Sequence, residues 1–204
     1  MKRIVMPGEY IKEAHGFVQN TYAEQGKLFS KILGLYDPQK NEVIPLEGAY
    51  IPHPGDEIVG IITSERNGVY EVDIQHFDRC LLISDKHDEL MDQGEIISAT
   101  VREVENRKTI IVEGQRRLGE GILLYIKPTK IPRVIGKSNT MINMISEYTK
   151  SRIVVGMNGL IWLNGGNTAL ATEALLRIEN EAHVEGLTNR IKIMLEEKIG
   201  KKQG

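Results

Sequence analysis

The chain has a single cysteine, Cys80, among its 204 residues. That excludes an internal disulfide and any metal site built from several cysteines. Cys80 lies in the apolar run Cys80-Leu81-Leu82-Ile83, where a small buried core residue is expected rather than a reactive thiol. No apolar stretch reaches the roughly 18 residues of a membrane-spanning helix. The opening Met1-Lys2-Arg3-Ile4-Val5-Met6-Pro7-Gly8 has no apolar core of the kind secretion signals carry, so a soluble, cytoplasmic protein is expected. Aromatic residues make up only 5%, thin for a protein that grips bases mainly by stacking. The histidines His15, His53, His76, His87 and His183 are scattered without metal-ligand spacing. No nucleophile elbow, His-Glu-x-x-His helix or Walker loop occurs. One acidic cluster, Asp85, Asp88, Glu89 and Asp92, has the chemistry for Mg²⁺, but its spacing suits a solvated loop or helix better. No catalytic residue, metal or cofactor is expected.

Charge is unevenly spread. Residues 1–122 hold 14 Lys and Arg against 21 Asp and Glu, a balance of −7. Residues 123–204 hold 12 against 7, a balance of +5. A basic final third behind an acidic front is compatible with nucleic acid meeting the C-terminal part, and also with a merely solvated basic face.

Apolar residues make up 41%, enough for a core. Residues 1–54 read as short strands between the turn signals Pro7-Gly8, Gly26, Asp37-Pro38 and Gly48. One strand is expected in 28–35 and one in 42–46, joined by a hairpin loop at 37–41. Residues 55–118 give five further strands. In 69–74, Val69, Glu71 and Asp73 alternate with Tyr70, Val72 and Ile74. Segments 96–105 and 108–113 pair across Asn106-Arg107. Five short strands at this spacing suggest a closed barrel, which also removes sheet edges.

Residues 119–204 change to a mixed pattern. A strand is expected over 123–131, a helix over 140–150, strands at 152–155 and 160–163, and two C-terminal helices. Asn158-Gly159 is a hairpin signal whose two residues are expected at positive φ. Asn167 is a helix cap, and Leu170, Ala174, Ile178 and Ala182 step along one helix face. Leu187, Ile191, Met194, Leu195 and Ile199 mark the last helix.

Within this region, Val134-Ile135-Gly136-Lys137-Ser138-Asn139-Thr140-Met141-Ile142 places a four-residue loop between apolar flanks at the start of a helix. Gly136 lets a sugar-phosphate backbone approach. Lys137 and the nearby Arg133 supply charge, and the helix's first N–H groups favour an anion. The element order and this loop resemble a KH domain of the eukaryotic-like type, whose G-x-x-G loop clamps about four nucleotides. The fourth position is Asn139 rather than glycine, and Asn tolerates a left-handed backbone better than other residues with a Cβ. The competing reading is a KH fold kept for packing.

Gly55-Asp56-Glu57-Ile58-Val59-Gly60, Gly68-Val69-Tyr70-Glu71-Val72-Asp73-Ile74 and Gly94-Glu95-Ile96-Ile97-Ser98-Ala99-Thr100-Val101 resemble an OB-fold barrel of the S-one type. That resemblance implies base stacking on Tyr70, with His76 and Phe77 close by. Arg102, Arg107, Lys108, Arg116 and Arg117 form a basic set on the last hairpin, suited either to tracking phosphates or to keeping the hairpin soluble. The expected architecture is therefore mostly β with an α+β C-terminal part. It comprises a small all-β unit at 1–54, the OB-fold barrel at 55–118, and a KH domain with an extra helix at 119–204.

That order of domains is similar to the S-one/KH cap subunit of the archaeal exosome. The residues carrying the resemblance include Pro7-Gly8-Glu9, Ile44-Pro45-Leu46-Glu47-Gly48-Ala49-Tyr50-Ile51-Pro52, Ile131-Pro132-Arg133-Val134 and Val155-Gly156-Met157-Asn158-Gly159-Leu160-Ile161-Trp162. The resemblance implies a non-catalytic protein that binds single-stranded RNA 3′ ends, with a preference for A-rich tails. It also implies three copies on a hexameric ring of ribonuclease-PH-like subunits, docked through the N-terminal unit. The sister cap subunit of that complex ends in a zinc ribbon, which one cysteine cannot build, though it remains a candidate neighbour in the cap. Gly156-Met157-Asn158-Gly159 corresponds to a buried structural turn of that family. Two other readings stay open: a transcription elongation or antitermination factor with S-one and KH domains, and a ring-docking adaptor with weak RNA binding.

Overall fold

The computed structural model describes residues 3–16, 18, 20–39, 41–45, 48–83, 90–105, 109–182, 184 and 186–200. The chain divides into two compact units, 1–48 and 49–204. The first unit holds β1 (Arg3–Val5), β2 (Tyr10–Glu13), β3 (Thr21–Glu24), β4 (Lys27–Ser30), β5 (Gly34–Asp37) and β6 (Glu42–Pro45). They form two antiparallel sheets, β1-β5-β6 and β2-β4-β3, over a core of Val5, Ile11, Val18, Leu28, Tyr36 and Val43. The single strand expected over 28–35 is two strands. Ser30, fully buried, turns the chain: its hydroxyl donates to Ile32 O at 2.7 Å. This local side-chain bond competes with the strand ladder and ends it.

The second unit begins before the expected boundary at residue 54. Tyr50 is buried among the barrel residues, and its hydroxyl donates to Asp56 Oδ2 at 2.8 Å. Burial, and then the Asp56 carboxylate, push the Tyr50 hydroxyl far above its ordinary pKa. The strands β7 (Glu57–Arg66), β8 (Val69–Asp73), β9 (Arg79–Ile83), β10 (Ile96–Glu105) and β11 (Thr109–Arg117) close a barrel in the order β10-β11-β9-β8-β7. β9 and β11 run parallel and the other pairs antiparallel, which is how five strands close here. The barrel interior includes Ile58, Ile62, Val72, Leu82, Ile97 and Ile110. Cys80 is part of this core, and burial pushes its thiol up to about 12. The thiolate is thus suppressed at neutral pH, as a packing role requires.

The rest of the unit is β12 (Ile122–Tyr125), α1 (Ile131–Ile135), α2 (Thr140–Thr149), β13 (Arg152–Val155), β14 (Leu160–Asn164), α3 (Thr168–Glu181) and α4 (Leu187–Gly200). The sheet order is β12-β14-β13, all antiparallel. The strand expected over 123–131 is shorter. β12 stops at Tyr125, and Pro128 opens a 3₁₀ turn leading into α1, since proline has no N–H to continue a ladder. Asn167 caps α3 by accepting from the Leu170 N–H at 3.2 Å. Leu170, Ala174, Ile178 and Ala182 are buried, as their spacing by four requires.

The turn at 156–159 joins β13 and β14 in the expected hairpin, but its backbone differs from the expected one. Gly159 has φ 95°, whereas Asn158 is not at positive φ. Asn158 is 1% exposed, and its side chain does other work. Its Oδ1 accepts from the Val59 N–H at 3.1 Å, and its Nδ2 donates to Val59 O at 2.8 Å and Ile74 O at 2.9 Å. The Met157 N–H donates to Glu57 O at 2.7 Å. One turn of the C-terminal domain thus completes hydrogen bonding inside the barrel wall. A Cβ on Gly156 would lie 2.6 Å from Val59 N, so only glycine allows this close approach.

Candidate nucleic-acid interface

The loop after α1 is built by backbone conformations that few residues adopt. Gly136 has φ 74°, and a Cβ there would sit 2.8 Å from Met141 Cβ and 2.9 Å from Met141 N. Ser138 (φ 51°, ψ 40°) and Asn139 (φ 62°, ψ 15°) both take the left-handed region. Asn139 therefore holds the conformation that a glycine would hold, at a modest cost. Thr140 Oγ1 donates to Lys137 O at 2.8 Å and ties the loop back to the helix. The Thr140 N–H donates to Lys137 O, and no side chain caps the start of α2. Lys137, Ser138 and Asn139 are exposed, as is Arg133 on α1.

Among the described residues, neither Arg133 nor Lys137 makes an ion pair. The basic set of the barrel is different. Arg102 pairs with Glu103 at 2.8 Å, Arg116 with Glu57 at 3.1 Å and Arg117 with Glu95 at 3.3 Å. Arg117 also donates to Leu90 O. Arg107 and Lys108 lie outside the described residues, as do Asp85, His87, Asp88, Glu89 and His183. Exposed ion pairs are weak, but they cancel charge at the surface. Uncompensated positive charge therefore sits at the KH loop rather than at these barrel arginines.

The aromatic candidates separate. Tyr70 is 0% exposed, inside the barrel on the face it shares with Val72 and Ile74. Its hydroxyl accepts from the Met91 N–H at 3.2 Å. The base-stacking role expected of Tyr70 is corrected: the ring is a core residue and presents no face to solvent. Phe77 is 86% exposed, and its ring stacks on His76 with centroids 4.4 Å apart and planes 27° apart. The His76 side chain is only 4% exposed. Its Nδ1 accepts from the Asp78 N–H at 3.1 Å, which fixes the imidazole as a backing plate for Phe77 rather than a contact of its own.

One feature was not foreseen in the sequence. A cleft of about 630 Å³ lies beside the KH loop, with Arg133, Lys137 and Met141 facing Val184, Thr188 and Asn189. The second group lies some fifty residues further along the chain, where the sequence pattern signalled only the buried stripe of α4. The corner between α3 and α4 is held by Glu181, whose carboxylate accepts from Arg177 Nε at 2.7 Å and Arg190 Nε at 2.8 Å. The Arg177 and Arg190 bonds hold the Glu181 carboxyl below its ordinary value of 4.5. A carboxyl lowered by folding adds stability above its unfolded pKa and loses it as pH falls through the folded one. The urea midpoint of the protein is expected to fall as pH drops below 4.5, with a smaller fall for Glu181→Gln. Equal pH dependence in both proteins would contradict this role for Glu181.

Residues 121–169 match the KH domain family. The fold and the loop geometry thus define a KH-domain protein, with an OB-type barrel packed before it. The chain is 38% identical to exosome complex component Rrp4 of Pyrococcus furiosus, over 97% of this chain and 84% of that protein. It is 33% identical to Rrp4 of Thermoplasma acidophilum, over 100% of this chain and 94% of that protein. A crystal structure assigned to an exosome complex RNA-binding protein superposes with a TM-score of 0.65 at 29% identity, covering 76% of this chain and 99% of that one. The chain belongs to the Rrp4 family of exosome components.

Proposed function

We propose that this protein is a non-catalytic RNA-binding subunit of an exosome, acting in the cytoplasm. In this reading it holds single-stranded RNA and directs 3′ ends, A-rich tails foremost, into a hexameric ring of phosphorolytic ribonuclease subunits. Three copies cap the ring, docked through the N-terminal unit, with the zinc-ribbon sister as a candidate neighbour. The observation that carries the reading is the KH loop. Lys137 and Arg133 are uncompensated there, and no side chain caps the start of α2. The Rrp4 names of the relatives and the RNA-binding description of the structural neighbour support it. Phe77, backed by His76, is the stacking contact of the barrel, worth roughly 1–3 kcal/mol for one base.

Titration of labelled single-stranded RNA tests this. Lys137→Glu is expected to weaken binding about tenfold and to reduce the slope of log K against log salt by about 0.7, one phosphate contact. Unchanged affinity and slope would make the loop idle. Shortening of RNA by the purified chain alone would refute the non-catalytic half of the proposal. A second reading, an adaptor that docks on the ring and grips RNA weakly, is favoured by the ion pairs on the barrel arginines. It predicts the same RNA affinity for the ring with and without this subunit.

A further inference from the structure

The cleft beside the KH loop has two walls of different origin. One is the loop itself with α1 and α2. The other is the first turn of α4, and the KH family match ends at residue 169, well before it. Thr188 and Asn189 are exposed on that turn and line the cleft. Val184, 43% exposed, adds apolar surface, while Met141, 3% exposed, only floors the cleft. No carboxylate is among the described residues that line the cleft, whereas the polar cleft on the barrel wall contains Glu71 bound to Arg79 at 3.0 Å. The wall is fixed in place. Leu187, Ile191, Met194 and Leu195 anchor α4 in the core, and Glu181 clasps Arg177 and Arg190. A volume of about 630 Å³ lies within the roughly 300–1,000 Å³ of small-ligand sites. The combination is two uncompensated cations at one end, an apolar patch, and a hydroxyl and an amide opposite. It suits one nucleotide of a single strand: phosphodiester at Lys137 and Arg133, base or ribose against the exposed Val184 with Thr188 and Asn189 beside it.

We propose that the first turn of α4 is the second wall of the RNA cleft, with Thr188 and Asn189 contacting the nucleotide held by the KH loop. This rests on the RNA-binding reading of that loop. Deleting α4 would expose core residues, so point variants in the full chain are the test. Thr188→Glu and Asn189→Glu place a carboxylate in a helix's first turn, where the dipole favours it, so the fold is retained. The probe is a fluorescent single-stranded RNA of about ten nucleotides, long enough for KH and OB sites. Each variant is expected to weaken binding about tenfold, the scale of a lost contact to a charged group. Ile193→Glu, an equal charge change at an exposed α4 position outside the cleft, is expected to leave affinity unchanged. Asn189→Leu, uncharged and with the same number of side-chain heavy atoms, is expected to weaken binding less but measurably. If the 188 and 189 variants bind normally while Lys137→Glu does not, the second wall is refuted and the loop reading survives. If Lys137→Glu also binds normally, both fail. Equal weakening by Ile193→Glu reduces the effect to long-range charge and overturns the contact.

Discussion

Trp162→Ala is expected to lower the unfolding free energy by about 3–5 kcal/mol, the usual cost of truncating a fully buried large aromatic. Trp162, 1% exposed on β14, packs in a cluster with Val59 of the barrel, Leu118 at the barrel's end, and Leu160. Its indole N–H donates to Gly119 O at 3.3 Å, and the Arg152 guanidinium lies 5.3 Å from the ring centroid. Removal leaves a cavity where the barrel and the KH sheet meet, together with a carbonyl that loses its donor. Since Trp162 is the only tryptophan, circular dichroism rather than indole emission must follow the transition. A loss under about 1 kcal/mol would mean that the seam collapses to fill the space, and that it is less tightly packed than its burial indicates.

Asn158→Leu is expected to cost about 3 kcal/mol or more. Leucine has as many side-chain heavy atoms as asparagine and is bulkier, so little of the loss comes from a cavity. It comes from the Val59 N–H, Val59 O and Ile74 O, each of which loses its partner where water does not reach. An orphaned buried polar group costs about 1–3 kcal/mol, and the three are close enough that their costs do not add fully. Urea unfolding with the KH and barrel transitions followed together measures this. A variant as stable as the parent would show that the barrel wall rearranges to pair these groups by itself.

Periodicity exposed much of this fold to sequence reading. The alternation in 69–74, the five barrel strands, the Asn167 cap and the stripe along α3 are all local signals of period two or four, and the structure reproduces them. What it could not expose depended on partners far along the chain. The alternation gave two faces of β8 without saying which one the closed barrel would enclose, and Tyr70 went inside with Val72 and Ile74. Arg116 reads as a free cation until folding brings Glu57 to 3.1 Å. Asn158-Gly159 reads as a turn, and the family resemblance implies that it is buried, but its partners Val59 and Ile74 lie in another domain and no local signal names them. The KH loop itself was legible because Gly136, Lys137 and the helix start are neighbours in sequence. Its facing wall at Val184, Thr188 and Asn189 was not, since nothing local marks a helix turn as lining a cleft.

The hold of Asn158 on Ile74 has a consequence for how tightly a flexible strand can be retained. Ile74 leads directly into the loop that carries His76 and Phe77, and Asn158 belongs to the same folded unit as the KH loop. In the proposed RNA-binding reading, the Phe77 ring and the Lys137 loop are therefore not two modules joined by a tether. A strand touching one would find the other at a fixed separation, so the second contact would form at a high effective concentration, with no linker entropy to spend. Two weak contacts would then multiply into avidity for strands long enough to reach both, and short fragments that reach only one would be released.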